Sequence, residues 1–203
     1  MPKKLPKTDV VIVGMGAAGG VAALPLTNAG LKVIGIEAGG WLSPRDFAPD
    51  ELRNGARNWP QSVQKAASEA PTVRANSNQK AVQGGHPMMN AVGGTTMHYW
   101  AQSWRLNPWD FKVVSATRDR YGADRIPTGS TVEDWPFGYD ELEPFYEKVE
   151  FAVGISGQAG NVKGKINAAG NVFEGERQSE YPMRPLRTSP FTELMTKAAQ
   201  RLD

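Results

Sequence analysis

With 203 residues the chain is long enough for one sizeable core or parts of two. Its net charge is +2, with both signs interspersed, and nothing in that balance suggests a nucleic-acid surface. There is no cysteine and there are only two histidines, His86 and His98, so disulfides, thiolate catalysis and cysteinyl cofactor attachment are excluded within these residues and no metal site is expected.

The N-terminal stretch MPKKLPKTDVVIVG runs from a basic stub into an apolar segment, with neither a hydrophobic signal core nor a twin-arginine pair. The apolar run from Val10 is too short to span a bilayer and is broken by glycine. Taken alone, the sequence reads as soluble and made in the cytoplasm.

Residues 8–40 carry the most specific pattern. Val10 to Val13 is a β-branched strand of the kind covered on both faces in a parallel sheet. Gly14, Gly16 and Gly19 follow in G-x-G-x-x-G spacing, then a helical pattern, the Gly30 turn, a second strand Val33 to Ile36, and Glu37 at its end. That order is the dinucleotide-binding fingerprint in the context it requires, and an adenine dinucleotide is the expected ligand.

Each position has a physical reason. Gly14 makes the tight turn, Gly16 lacks the Cβ that would block a pyrophosphate, and Gly19 lets the helix pack closely on the sheet. The amides of Gly16, Ala17 and Ala18 lie in the first helical turn, without intrahelical acceptors and at the positive end of the macrodipole, and so suit an anion. Glu37 is placed to accept from the adenosine ribose, and an acid there would repel a 2′-phosphate. Pro25 falls inside the helical pattern, where proline costs about 3 kcal/mol, so a kink or an early end near Leu24 is expected.

Residues 41–80 are polar and irregular, interrupted by Pro44, Pro49, Pro60 and Pro71, and residues 81–107 form a second glycine-rich segment with clustered aromatics. A charged helical piece is expected around Asp110 to Tyr121. A longer helix follows from Tyr139 to Gly154, with Asp140 as N-cap and Leu142, Phe145, Tyr146, Val149 and Val153 as its core-facing stripe. Residues 155–188, rich in glycine, asparagine and proline, read as surface-loop connections. Ser189 to Asp203 begins an amphipathic helix through Phe191, Leu194, Met195, Ala198 and Leu202. A complete Rossmann half needs more parallel strands than can be found here, so the sequence reads as the front portion of a longer protein.

Asn90 to Arg105 reads NAVGGTTMHYWAQSWR. Gly93 and Gly94, followed by Thr95 and Thr96, offer bare backbone and two hydroxyls to a flat or anionic ligand. By itself a Gly-Gly pair reads first as a turn entering a strand. Its place after a dinucleotide fingerprint favours a ligand-facing role.

With these residues in view, the chain resembles the glucose–methanol–choline oxidoreductases, FAD-dependent enzymes that oxidise alcohols. The resemblance rests on GMGAAGG (Gly14 to Gly20), IEAGG (Ile36 to Gly40), VGGTTMHYWAQSWR (Val92 to Arg105) and DWPFGYDELEPFYEKVE (Asp134 to Glu150). The last two look most like the flavoprotein subunits of bacterial gluconate, fructose and FAD-dependent glucose dehydrogenases.

The resemblance implies an α/β fold: a Rossmann-like FAD-binding βαβ domain over residues 8–135, with the flavin lined by 81–107, and an incomplete start of an interleaved substrate domain over 136–203. It implies that Gly14, Gly16, Ala17, Ala18 and Gly19 hold the FAD pyrophosphate, that Glu37 takes the ribose, and that Asn90, Gly93, Gly94, Thr95 and Thr96 line the flavin and pyrophosphate. His98 stands where some members carry a histidine covalently joined to the flavin. A neutral imidazole is a competent nucleophile for that bond, and an ordinary histidine near the cofactor is the alternative. His86 matches no motif.

The same resemblance implies a sugar, polyol or sugar-acid substrate, hydride transfer to flavin, and a quinone or cytochrome as electron acceptor. It also implies a small export subunit and a membrane cytochrome subunit as partners, so that location is either cytoplasmic or periplasmic and membrane-associated through a partner. The family's general base has no match here and is expected beyond Asp203. A non-catalytic FAD-binding fragment and an NAD-dependent reductase are the two other readings, since the first βαβ unit alone does not separate NAD from FAD.

Overall fold

The computed structural model describes residues 4–46, 72–73, 76–80, 82–83, 90–97, 99 and 101–202. The chain divides into two units, Met1–Gln102 and Ser103–Asp203.

In the first unit, β1 (Val10–Val13) and β2 (Val33–Ile36) pair in parallel, with Val10 opposite Val33 and Val13 opposite Ile36. Helix α1 (Ala17–Asn28) connects them, as a parallel crossover requires. A Cβ built on Gly19 would lie 2.1 Å from the Gly14 carbonyl oxygen and 3.3 Å from Ile12 Cγ2, so α1 rests directly on the turn and on one face of β1. The opposite face is open: Val10 and Ile12 are half-buried, whereas Val11 and Val13 are exposed, Val13 to 83 %. This corrects the expectation of a strand covered on both faces. Among the described residues the parallel sheet has two strands, and α1 covers one side. A second, antiparallel pair joins β3 (Thr72–Val73) to β4 (Val82–Gln83).

Pro25 does not end α1 at Leu24. The helix runs on to Asn28, where Ala29 N–H donates to the Pro25 carbonyl (3.0 Å) and the Thr27 hydroxyl donates to the Ala23 and Leu24 carbonyls. Proline removes its own amide from the helix's bonding and crowds the carbonyl one turn back, and these bonds hold the turn that follows it.

The second unit begins with a 3-10 turn, Pro108–Phe111, which leads into α2 (Val113–Tyr121). Asp134, twenty residues downstream, closes the helix start: its carboxylate accepts from the Val114 amide (2.8 Å), the Ser115 amide (3.3 Å) and the Ser115 hydroxyl (2.6 Å). Phe111 is fully buried, 6.0 Å from Phe137, which lies 5.4 Å from Trp135.

Helix α3 spans Tyr139–Val153 and is capped by Gly138, whose amide donates to Glu141 (3.0 Å), and by Gly154 in the left-handed region at φ 79°. Asp140 therefore sits inside the first turn and is not the N-cap. The buried stripe also differs from expectation. Tyr139, Glu143 and Glu150 are buried, while Phe145 (58 % exposed), Val149 and Val153 face outward and Leu142 and Tyr146 are half-buried.

The reason is a buried charge cluster. Arg105 holds Glu150 through two parallel bonds (Nε to Oε1 2.9 Å, Nη2 to Oε2 2.8 Å) and reaches Glu143 (2.9 Å) and the Tyr139 hydroxyl (3.1 Å). Arg177, 1 % exposed, donates to the same Glu150 and lies 3.9 Å from the Tyr181 ring centroid. Burial works against charge on Arg105, but its bonds to Glu150, Tyr139 and Glu143 outweigh that and raise its pKa.

Residues 155–188 are more than connecting loop. They contain an antiparallel pair, β5 (Asn161–Val162) and β6 (Lys165–Ile166), turned through Lys163 and Gly164 at positive φ. Glutamates hold this segment to itself and to α3. Glu174 accepts from the Asn161 amide (3.2 Å), Glu180 from Ala159 (2.6 Å), Glu143 from Gln178 (3.1 Å), and Glu147 from the Ser179 hydroxyl.

Helix α4 (Pro190–Ala199) starts where expected, with the Ser189 hydroxyl oxygen accepting from the Thr192 amide (3.1 Å) and proline in the first position. Phe191, Leu194 and Met195 are all exposed, Phe191 to 70 %. No helix among the described residues is long and apolar enough to cross a membrane.

Candidate functional site

Three glycine-bearing segments of the first unit meet at the carboxyl ends of β1 and β2. Gly14 adopts φ +89°, outside the range ordinary residues favour, and lets the chain leave β1 toward α1 while its amide donates to the Ile36 carbonyl (2.7 Å). Gly16 precedes the helix in extended conformation, and a Cβ built on it would meet nothing within 4 Å. The helix's own bonding starts at the Gly20 amide, which donates to the Gly16 carbonyl (2.9 Å), so the Ala17, Ala18 and Gly19 amides have no acceptor inside the helix. Ala17 and Ala18 are exposed, and the first turn carries no acidic side chain that would compete with an anion.

The second glycine segment lies against this turn. Gly93 pairs with Gly16 in a parallel bridge, its amide donating to the Met15 carbonyl (2.7 Å). Gly94, at φ +55°, follows with its α-carbon face on Gly16. On the other side Ala91 bridges Gly40, with the Val92 amide donating to the Gly40 carbonyl (3.0 Å). A Cβ on Gly39 would fall 2.0 Å from the Asn90 carbonyl carbon, so only glycine admits this approach. Residues 90–93 are thus threaded between the fingerprint turn and the Ala38–Gly40 stretch. Thr95 and Thr96 are exposed in the 3-10 turn Gly94–Met97, the Thr96 hydroxyl donating to the Gly93 carbonyl.

Glu37 sits at the junction. Its Oε2 accepts from the Met15 amide (2.8 Å) and its Oε1 from the Gly39 amide (3.1 Å). The Met15 bond, then the Gly39 bond, hold its carboxyl below the usual carboxylate range, against a smaller opposing effect of burial. A carboxylate oxygen has two lone-pair directions, so each can still accept from a hydroxyl.

Gly14, Gly16, Ala17, Ala18, Gly19, Glu37, Asn90, Gly93, Gly94, Thr95 and Thr96 all belong to this one cluster of the first unit. His98, and His86 with it, lies outside the described residues. Sequence reasoning missed Met15, whose sulfur lies over Gly35, and missed the pairing of Gly39–Gly40 with Asn90–Ala91. The signal was present in the paired glycines two residues after Glu37.

The open turn at Gly16, the acceptor-free amides beside it and the ionised acid at the end of β2 fit the pyrophosphate and ribose of a dinucleotide. This is a βαβ unit with its fingerprint glycines at the turn, compatible with an α/β fold.

Comparison with known proteins gives the family. No family model matches the chain. It is 32 % identical over 218 residues to the gluconate 2-dehydrogenase flavoprotein of Pantoea cypripedii, covering 97 % of this chain and 34 % of that protein. It is 34 % identical over 157 residues to the 2-methyl-1,2-propanediol dehydrogenase of Mycolicibacterium austroafricanum, covering 76 % of this chain and 26 % of that protein. The fructose dehydrogenase large subunit of Gluconobacter japonicus is 32 % identical over 212 residues, covering 93 % and 34 % respectively. The chain belongs to the glucose–methanol–choline oxidoreductases and corresponds to their N-terminal portion. It spans about a third of the length of the first and third relatives and about a quarter of the second.

Proposed function

We propose that the chain supplies the FAD-binding part of a dehydrogenase that oxidises the CH–OH group of a sugar, polyol or sugar acid and passes the electrons to a quinone or cytochrome. The observation that carries this reading is the meeting of Gly16, Gly93 and Gly94 beside the start of α1, with Glu37 bound into the same turn. The relatives' names support it: one is a flavoprotein, and the named substrates include gluconate, fructose and a propanediol.

In this reading the Ala17 and Ala18 amides hold the pyrophosphate, Glu37 accepts from the ribose, and Asn90 to Thr96 line the flavin and keep water from it. By the family resemblance, His98 is the residue proposed to carry a covalent flavin link. Bound FAD supplies the hydride acceptor. The general base is assigned to no residue of this chain.

The names "flavoprotein" and "large subunit" favour a multi-subunit complex. A small export subunit and a membrane cytochrome subunit are the proposed partners, which would place the assembly on the periplasmic side of a membrane.

An absorbance spectrum of the purified full-length protein, repeated on the pellet after acid precipitation, tests the assignment. Flavin bands are expected. Colour held in the pellet means a covalent flavin and points to His98, to be checked with His98→Ala, and colour in the supernatant means a non-covalent one. Well-folded protein without flavin bands would sink the FAD reading and favour an NAD-dependent reductase.

A further inference from the structure

Met15, the middle residue between the first two fingerprint glycines, is anchored from three directions. Its amide donates to Glu37 Oε2 (2.8 Å), its carbonyl accepts from the Gly93 amide (2.7 Å), and its side chain lies where Gly35 leaves room. The other oxygen of the same carboxylate takes the Gly39 amide (3.1 Å), one residue before Gly40 receives the Val92 amide (3.0 Å). One anionic side chain therefore bridges the phosphate turn and the stretch that carries the second glycine segment.

We propose that Glu37 is a positioning residue: it sets the Gly14–Gly16 turn in its phosphate-binding shape before any nucleotide arrives, besides meeting the ribose. A turn flanked by two glycines loses more conformational freedom on ordering than any other, so without a fixed partner it samples many shapes. Hydrogen bonds to an ionised acceptor are about twice as strong as neutral ones, which suits a carboxylate to this task. Its depressed pKa, caused first by the Met15 amide, is consistent with the bonds being made by the anion. The proposal rests on the nucleotide-binding reading given above.

Glu37→Gln keeps one acceptor and sets an NH2 group against the other amide. The test compares wild type and Glu37→Gln for binding of ADP and of 2′,3′-dideoxy-ADP, which lacks the ribose hydroxyls. Amide hydrogen exchange at Met15 and Gly39 is followed in the nucleotide-free chain. A positioning role weakens dideoxy-ADP tenfold or more, and ADP by at least that factor. It also speeds exchange at one or both amides at least tenfold, with the far-ultraviolet circular dichroism unchanged.

Loss of ADP affinity alone, with dideoxy-ADP within twofold of wild type, or unaltered exchange at both amides, overturns the proposal and leaves Glu37 as a ribose contact. If Glu37→Gln does not fold, Glu37→Asp serves: it keeps the charge but is one methylene too short to span both amides, and full protection at both would again overturn it. Failure of wild type to bind ADP counts against the nucleotide-binding reading itself, and the exchange measurement then decides the clamp on its own.

Discussion

A Cβ placed on Gly94 would lie 3.3 Å from the α-carbon of Gly16, so two glycines 78 positions apart press backbone against backbone. Gly94 also holds φ +55°, and an L-residue there costs roughly 1–2 kcal/mol. Gly94→Ala is therefore expected to lower both stability and flavin content, read as a drop in melting temperature and in the 450 nm to 280 nm absorbance ratio of the full-length protein.

Gly16 and Gly19 should respond oppositely. A methyl on Gly16 meets nothing within 4 Å, so Gly16→Ala should leave stability within about 0.5 kcal/mol while weakening nucleotide binding. A methyl on Gly19 would sit 2.1 Å from the Gly14 carbonyl, forcing α1 off the turn at a cost of about 1–3 kcal/mol. Urea unfolding paired with ADP titration separates the two; equal losses of stability in both variants would contradict the geometry.

In the second unit, Arg105→Met removes a side chain that is 4 % exposed, leaving Glu143 with no cationic partner among the described residues and Glu150 with Arg177 alone. Breaking a buried pair from one side typically costs about 3–5 kcal/mol. The expected result is an early unfolding transition seen by tryptophan fluorescence, since Trp104, Trp109 and Trp135 all belong to this unit. A change below 1 kcal/mol would mean that the cluster is not held as described.

Acid should weaken the site. Glu37 has its pKa lowered from 4.5, first by the Met15 amide, and Asp134 has its own lowered from 3.8, first by the Ser115 hydroxyl. A carboxyl whose folded value lies below its unfolded value stabilises fully above the unfolded value, and that contribution fades as pH falls through the folded one. Stability is thus expected to be flat from neutrality to about pH 5 and to decline below it. Glu37→Gln should remove part of that decline, and Asp134→Asn another part; a wild-type acid limb unchanged by both substitutions would contradict this.

The outward face of α4 gives a fifth expectation. Phe191, Leu194 and Met195 are exposed together, so the chain should bind the dye ANS. Leu194→Glu should lower that fluorescence and move stability by no more than about 0.5 kcal/mol.

The βαβ unit was legible because every cue in it is local: glycine spacing, a β-branched strand, an acid at the second strand's end. The polar inner face of α3 was not. Leu142, Phe145, Val149 and Val153 make a sound apolar stripe, yet what lies against the helix is Arg105, 45 residues before Glu150, and Arg177, 27 residues after it. No window along the sequence joins those charges. The order in residues 155–188 was hidden for the same reason, since its amides bond glutamates up to 35 residues away. Asp140 is the cap-forming residue type, yet Gly138 and Glu141 share that work.

The bridge between Gly40 and Ala91 closes the stretch 41–90 at its base. Because Gly39 packs directly on Asn90, the entry and exit of that stretch are fixed to each other, and the Gly93 amide ties them to the Gly14–Gly16 turn. The entropy of closing a chain between two fixed ends grows slowly with its length, by about 0.6 kcal/mol per doubling. A change in the number of residues between Gly40 and Ala91 is therefore cheap in closure entropy, and the bridge that holds the two ends leaves the glycine cluster its geometry.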